Sequence, residues 1–340
     1  MTVAVYATPL RSRFRGLASR DGLLLGGPAG WAEFSPFWDY DDATAVPWLR
    51  AAVEAATLGF PAPVRHSIPV NVTVPAVDPE RARALVRASG GCTTAKVKVA
   101  EPGQSRAEEV ARLEAVRDAL GPGGHVRIDA NGGWGAAEAI AALPVLDRAA
   151  GGLQYAEQPC PTVPELAEVR RRVGVPIAAD ESIRRATDPF AVKRADAADI
   201  VVLKVQPLGG VRACLELAAA LDMPVVVSSA LESSVGIAMG VALAAALPDL
   251  PLASGLATVQ LFERDVTSAP LLPVGGELPV RRVVPDALAP VDAATAARWL
   301  ARLDAVAHLA GIDLAGIDLA GIDLAGIVPA GTGRAGAGTP

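Results

Sequence analysis

The sequence predicts an α/β protein, a TIM-type barrel of parallel strands preceded by an α+β domain. Three observations carry this. First, eight short β-rich runs, at 68–74, 95–99, 126–129, 153–157, 177–180, 200–205, 225–228 and 252–254, alternate with amphipathic segments such as 79–88, 105–120, 136–148 and 211–221. Such alternation implies parallel pairing through right-handed crossovers. Second, from the fourth run onward the run ends recur every 23 to 26 residues. Third, no G-x-G-x-x-G follows an early strand, which disfavours an open dinucleotide-binding sheet. The chain has 340 residues, 51% of them hydrophobic. At about 150 residues per domain that gives roughly two domains.

In chain order, residues 1–66 read as the α+β domain. Segments 2–10, 22–25 and 30–34 look like antiparallel strands, and 10–22 like a loop between them. Segment 42–58 reads as a helix with Asp41 or Asp42 as its N-cap. Residues 67–285 form the barrel. Residues 286–310 hold one more amphipathic helix, 291–309, placed to pack back on the first domain. Residues 311–340 open with GIDLA three times and a decayed copy, GIVPA. So few repeats cannot bury a core, and glycine every fifth residue weakens a helix. The segment reads as a low-complexity tail.

Composition excludes several function classes. A net charge of −6 argues against nucleic acid, which needs a basic stripe. The longest apolar stretch, 235–247, contains glycine and is too short to span a bilayer. The first residues lack the apolar segment of a signal peptide. Cys92, Cys160 and Cys214 form no close pair, so a reducing cytoplasm is expected. Nothing in the sequence fixes an oligomeric state.

In such a barrel the chemistry sits at the C-terminal ends of the strands. Three successive runs end in one carboxylate each, Asp129, Glu157 and Asp180. Each could cap a helix or pair with an arginine. Three converging on one rim would instead repel one another, and a divalent cation resolves that. Hard oxygen donors without His or Cys select Mg²⁺ or Mn²⁺ over Zn²⁺. The lysines are equally informative. Of 31 basic residues only four are lysines: Lys96, Lys98, Lys193 and Lys204. Where arginine serves almost everywhere, a retained lysine suggests an amine that can lose its proton. Lys96 and Lys98 share one face of the second run, since strand side chains alternate. Lys204 lies on the sixth run, across the barrel, and Lys193 looks like a surface residue. Amines on both sides of a metal-held anion suit removal of a proton next to a carboxylate. Lys96, as a second cation, would lower the pKa of Lys98. His66, His125 and His308 are scattered, which supports neither a zinc cluster nor a Ser-His-Asp triad. Gly209-Gly210 could hold a phosphate at a helix start, though a turn role is favoured.

These residues resemble a known family. The K-x-K of Lys96 and Lys98, D-x-N of Asp129 and Asn131, E-Q-P at Glu157, D-E-S at Asp180 and L-K-V-Q-P-L-G-G around Lys204 are similar to the enolase superfamily. Lysines on strands two and six mark its muconate-lactonising-enzyme type. N-V-T-V-P at 71–75 and S-S-A-L-E-S-S-V-G at 228–236 most resemble the o-succinylbenzoate synthase family. The resemblance covers residues 1 to about 310; the tail has no counterpart in it. It implies a modified (β/α)7β barrel, capped by an α+β domain built from both chain ends. It also implies the superfamily's established chemistry, a lysine base with a metal-stabilised enediolate. On this resemblance Asp129, Glu157 and Asp180 bind Mg²⁺, with Mn²⁺ as substitute, and Lys96, Asn131 and Glu181 support the site. Lys98 takes the α-proton of a small-molecule carboxylate and returns a proton to the departing hydroxyl. Lys204 is the cation over the other face. Ser228, Ser229, Glu232 and Ser233 line the succinyl arm or its surroundings. Arg15 and Arg20 belong to the 10–22 loop, which closes over the site. The expected reaction is a syn dehydration feeding menaquinone synthesis.

Two rivals share this architecture. N-succinylamino acid racemases use the same two lysines and stay open. Dipeptide epimerases are expected to carry D-x-D after strand eight, where this chain reads S-G-L-A-T at 254–258. A Schiff-base aldolase could use Lys204 but needs no carboxylate trio.

Overall fold

A computed structural model describes residues 1–313. The expectation for the repeat tail, from residue 314 on, lies outside the described residues. The N-terminal unit is an antiparallel sheet of β1 (Thr2–Phe14), β2 (Leu17–Gly27) and β3 (Gly30–Phe34), followed by α1 (Asp42–Thr57). Asp41 is the N-cap and accepts from the Thr44 amide at 2.8 Å. The expected 10–22 loop is instead a hairpin. Phe14 pairs with Leu17, and Arg15 and Gly16 turn the chain at φ 52° and 75°. Two-residue hairpin turns of type I′ take positive φ at both positions, and Gly16 supplies the second without strain. The arginine-rich run has no apolar face for periodicity to detect, so pairing alone makes it a strand.

The barrel follows as β4 (Ser67–Pro69), β5 (Val72–Val74), α2 (Pro79–Arg87), β6 (Thr94–Lys98), α3 (Arg106–Leu120), β7 (His125–Asp129), α4 (Ala136–Ala149), β8 (Leu153–Glu157), α5 (Val163–Arg172), β9 (Ile177–Ala179), α6 (Glu181–Arg184), α7 (Ala191–Arg194), β10 (Ile200–Leu203), α8 (Val211–Leu221), β11 (Val225–Val227) and α9 (Ser234–Ala246). A 3-10 turn (Ala257–Leu261), β12 (Glu277–Pro279) and α10 (Ala293–Ala310) complete the described chain. Strands β5 to β11 form one parallel sheet in sequence order. Residues 254–255 close it as single bridges rather than a strand. The Ser254 amide donates to Pro69 O at 2.8 Å and Ser254 O accepts from the Asn71 amide at 2.9 Å. On the other side the Gly255 amide donates to Val227 O at 2.8 Å, and Gly255 O accepts from the Ser229 amide at 3.0 Å. The run expected at 68–74 splits. β4 pairs antiparallel with β12, and only β5 joins the parallel sheet.

Tyr155, Ala178, Ile200, Val202 and Val226 fill the barrel floor, as side-chain layers do in such barrels. The polar strand ends are left at the opposite rim. α9 is apolar all round and buried throughout, the pattern of a helix enclosed on every side. α10 returns to the N-terminal sheet. Trp299 packs edge-on to Phe34 and donates to Asp21 at 3.1 Å. The Arg302 guanidinium binds the carbonyls of Phe37 and Tyr40 at 3.1 and 2.6 Å. Among the described residues no helix is long and apolar enough to cross a membrane.

Candidate active site

The strand ends converge as period-two alternation requires. Lys96 and Lys98 leave β6 on its inner face, Asp129 ends β7 and Glu157 ends β8. Asp180 and Lys204 directly follow β9 and β10. Lys98 Nζ lies 2.7 Å from Asp129 Oδ2 and also bonds Asn131 Oδ1. Lys96 Nζ reaches both Glu157 oxygens, at 3.0 and 3.1 Å, and Asp129 at 3.2 Å. Across the rim, Lys204 Nζ lies 2.6 Å from Asp180 Oδ2. Above them opens a cavity of about 600 Å³, whose walls include Lys98, Lys204, Phe14, Phe37, Ser229 and Leu231.

Burial alone would push these carboxyls up. The ammonium groups of Lys98 and Lys96 overcome it at Asp129 and hold that carboxyl well below its ordinary range. Asp180 is likewise lowered to about 2, against burial, by Arg184 and Lys204. Glu157 goes the other way, to about 7, because burial and the charge of Asp129 outweigh the pull of Lys96. Lys96 would be lowered by burial, but Glu157 and Asp129 raise it well above its usual value. Lys96 is therefore a fixed cation, and the amine that reaches the cavity from this strand with one carboxylate partner is Lys98.

Several sequence expectations can now be placed. Asn131 and Glu181 stand at the rim, joined at 3.3 Å, with Asn131 also on Lys98. Arg15, Ser228 and Ser229 line the cavity; Arg20, Glu232 and Ser233 do not. Arg20 is buried, and its guanidinium is engaged by Leu231 O, Ser35 O and Ser35 Oγ. Ser233 caps α9. Glu232 folds back on the Ala230 amide at 2.6 Å. These three sit behind the cavity wall because their polar atoms are spent on backbone and on the N-terminal unit. The Gly209-Gly210 turn is closed to phosphate, since Glu54 of α1 already accepts from the Val211 and Arg212 amides at 3.0 and 3.3 Å. Lys193 is exposed on α7. Arg184 was not singled out in the sequence. It binds Asp180 at 2.8 Å, Glu181 at 2.6 Å and Tyr40 at 2.9 Å. Its place four residues after Asp180, one helical turn, was the available signal.

The family described as Enolase C-terminal domain-like matches residues 79–287, and Enolase N-terminal domain-like matches residues 5–56. The o-succinylbenzoate synthase of Thermobifida fusca is 63% identical over 307 residues, 90% of this chain and 96% of that relative. The chain belongs to the o-succinylbenzoate synthases of the enolase superfamily. It is a lyase of that type. The Mycobacterium tuberculosis (strain H37Rv) o-succinylbenzoate synthase is 56% identical over 83% of this chain and 85% of its own. Among solved structures, the muconate lactonizing enzyme of Pseudomonas fluorescens superposes with a TM-score of 0.71 at 20% identity, covering 88% of this chain and 97% of its own. The L-Ala-D/L-Glu epimerase of Bacillus subtilis gives 0.70 at 22% identity, covering 82% and 95%. These two likenesses establish the fold.

Enolase-superfamily membership implies a divalent metal ion. The residues at the rim fit one. The donors are carboxylate oxygens without His or Cys, and Glu181 keeps one buried oxygen, Oε2, without a hydrogen-bond partner. As arranged here, ammonium groups rather than close mutual contact hold Asp129, Glu157 and Asp180. Among the described residues no group of three or more Asp, Glu, His or Cys side chains is drawn together closely enough to hold a metal ion as arranged here, so the fit rests on the chemistry of the donors.

Proposed function

We propose that this chain catalyses the syn dehydration of 2-succinyl-6-hydroxy-2,4-cyclohexadiene-1-carboxylate to 2-succinylbenzoate, in the cytoplasm and as a step of menaquinone biosynthesis. The observation that carries this is the pair Lys98 and Lys204, facing one cavity across the carboxylates Asp129, Glu157 and Asp180. Those three residues would hold Mg²⁺, with Mn²⁺ able to replace it. When bound, the ion supplies positive charge against the negative charge that builds on the substrate carboxylate. The remaining work falls to the chain. Lys98, as a free amine, takes the proton from the carbon bearing the carboxylate. Its ammonium then gives a proton to the hydroxyl on the same face, which departs as water while the ring becomes aromatic. One residue on one face accounts for the syn course. Lys204 stays protonated on the opposite face and offsets the developing charge. Lys96 stays a cation and holds Glu157 in place. Ser228, Ser229 and Leu231 form the wall for the succinyl arm, and the hairpin tip at Phe14 and Arg15 excludes water.

A second reading has one specific support. Lys98 and Lys204 are placed almost symmetrically, each within 2.7 Å of an aspartate, as proton exchange on two faces would need. That reading is N-succinylamino acid racemisation. The test is to measure kcat/KM for both reactions on one preparation with Mn²⁺ present. Dehydration should be much faster. Racemisation as fast as dehydration would overturn the assignment.

A further inference from the structure

Behind the cavity wall lies a buried node that the chemistry above does not use. Glu33, on β3 of the N-terminal unit, is fully buried. Its Oε1 accepts from the Tyr6 hydroxyl at 2.7 Å and the Ser35 hydroxyl at 2.6 Å. Its Oε2 accepts from the Ser233 amide at 3.0 Å, the Ser233 hydroxyl and the Gly236 amide at 3.1 Å. These last amides belong to the first turn of α9, beside the Ser233 cap on the Val235 amide, where a carboxylate is favoured by the N–H groups and the helix dipole. Gly236 is required there: an added Cβ would stand 2.5 Å from Glu232 Cβ and 2.8 Å from Glu33 Oε2. Two more contacts tie the same node to the cavity. Arg20 donates to Leu231 O at 3.0 Å and also holds Ser35. The Ser35 amide donates at 3.1 Å to Gln206, two residues beyond Lys204.

We propose that Glu33 is a positioning residue that sets the wall segment 228–233 against Lys204, and thereby the fit of the substrate's succinyl arm. Glu33 does not line the active-site cavity and acts through Ser233 and, with Ser35 and Arg20, through Leu231. The functional half of this inference rests on the dehydration reading above. The positional half does not.

The chemistry predicts an unusual ranking of variants. In Glu33→Gln the amide oxygen can still face the Ser233 and Gly236 amides, while its NH₂ faces two hydroxyls, Tyr6 and Ser35, that can turn to accept. In Glu33→Ala both backbone amides lose their acceptor in a buried place. The experiment is steady-state dehydration kinetics of wild type, Glu33→Gln, Glu33→Ala and Ser233→Ala, together with hydrogen–deuterium exchange of each. Glu33→Ala should raise KM about tenfold or more with kcat within about threefold, the signature of lost uniform binding. Glu33→Gln should restore KM to within about threefold. Exchange should quicken at 229–236 in Glu33→Ala while the remaining barrel amides keep their wild-type rates. Ser233→Ala keeps the carboxylate and both amides but also removes the cap on the Val235 amide, so if Glu33→Ala does not fold it carries the test through KM and through exchange at 229–233, ahead of the helix, both of which should rise. Unchanged KM and local exchange, or exchange that quickens evenly over the whole barrel, would overturn the proposal. A wild type that does not dehydrate would refute the assigned reaction instead, and the exchange pattern would still decide whether Glu33 holds the segment.

Discussion

Glu232 allows the sharpest test of the electrostatics. Its carboxyl is buried, and burial followed by the nearby charge of Glu33 pushes it from its ordinary 4.5 up to about 7. A carboxyl whose folded-state pKa is raised favours the folded chain in its protonated form. Its contribution is therefore fully present below about pH 4.5, falls as pH rises toward 7, and is constant above that. At about 1.4 kcal/mol per tenfold change, a shift of this size corresponds to roughly 3 kcal/mol, an upper bound for one group. Glu232→Gln keeps the shape and the acceptor for the Ala230 amide while removing the charge. The variant should exceed wild type by less than about 1 kcal/mol near pH 5 and by up to about 3 kcal/mol near pH 8. The assay is urea unfolding of both proteins at pH 5, 6, 7 and 8, followed by tryptophan fluorescence. Taking the difference between the two cancels the acid sensitivity of Asp129 and Asp180, whose pKa values lie low and whose stabilisation is lost only as pH falls. A wild-type-to-variant difference that stays constant from pH 5 to 8 would refute the reasoning.

Further outcomes are expected. Lys98→Arg keeps a charge but removes the usable amine, so kcat should fall by about 10²–10⁴, the usual share of general acid–base catalysis; a near-normal kcat would exclude Lys98 as the base. Chelation should abolish activity and Mg²⁺ or Mn²⁺ should restore it, and Asp180→Asn should weaken metal binding measured by calorimetry while circular dichroism stays native. Glu54→Ala leaves the Val211 and Arg212 amides without their carboxylate and should cost about 0.5–2 kcal/mol, the range of a lost helix cap, read as a lower urea midpoint. Truncation after Ala310 should lower Tm relative to truncation after Asp313, because Gly311 and Ile312 close α10 through bonds to His308 O and Ala307 O.

The barrel was legible because its signals are local. Each strand is a short apolar run, the helices other than α9 have a polar face, and polar residues fall at the strand ends. Asp129, Glu157, Asp180, Lys98 and Lys204 could be placed on one rim from pleating and strand order alone. Two of the misplaced residues share a cause. Arg20, Glu232 and Ser233 lie beside cavity-lining residues in sequence, but contacts some 200 residues away decide where the polar atoms of Arg20 and Ser233 go, and Glu232 turns back on the Ala230 amide. Ser233 binds Glu33, and Arg20 binds Leu231. The hairpin at 10–22 was hidden for a related reason, since a strand polar on both faces has no period to read.

The same long-range contacts show how the two units are joined. Helices α8 and α9 both begin at the rim, and each presents unpaired amides where the dipole favours an anion. A carboxylate from the N-terminal unit fills both places: Glu54 on α8 and Glu33 on α9. Neither comes from the helix's own N-terminal loop, the usual source of a cap. The barrel alone would keep Ser233 and Asp265 on the Val235 and Ser234 amides but leave the Ser233 and Gly236 amides of α9, and the Val211 and Arg212 amides of α8, to water; the N-terminal unit alone would leave Glu33 without the amides that stabilise its charge. Burial raises the pKa of Glu33 and the hydroxyls of Ser233 and Ser35 pull it back, so the carboxylate depends on the interface it forms. Loss of either partner then exposes a cost in the other. Docking of the N-terminal unit and ordering of the wall at 228–233 should accordingly be one cooperative event rather than two.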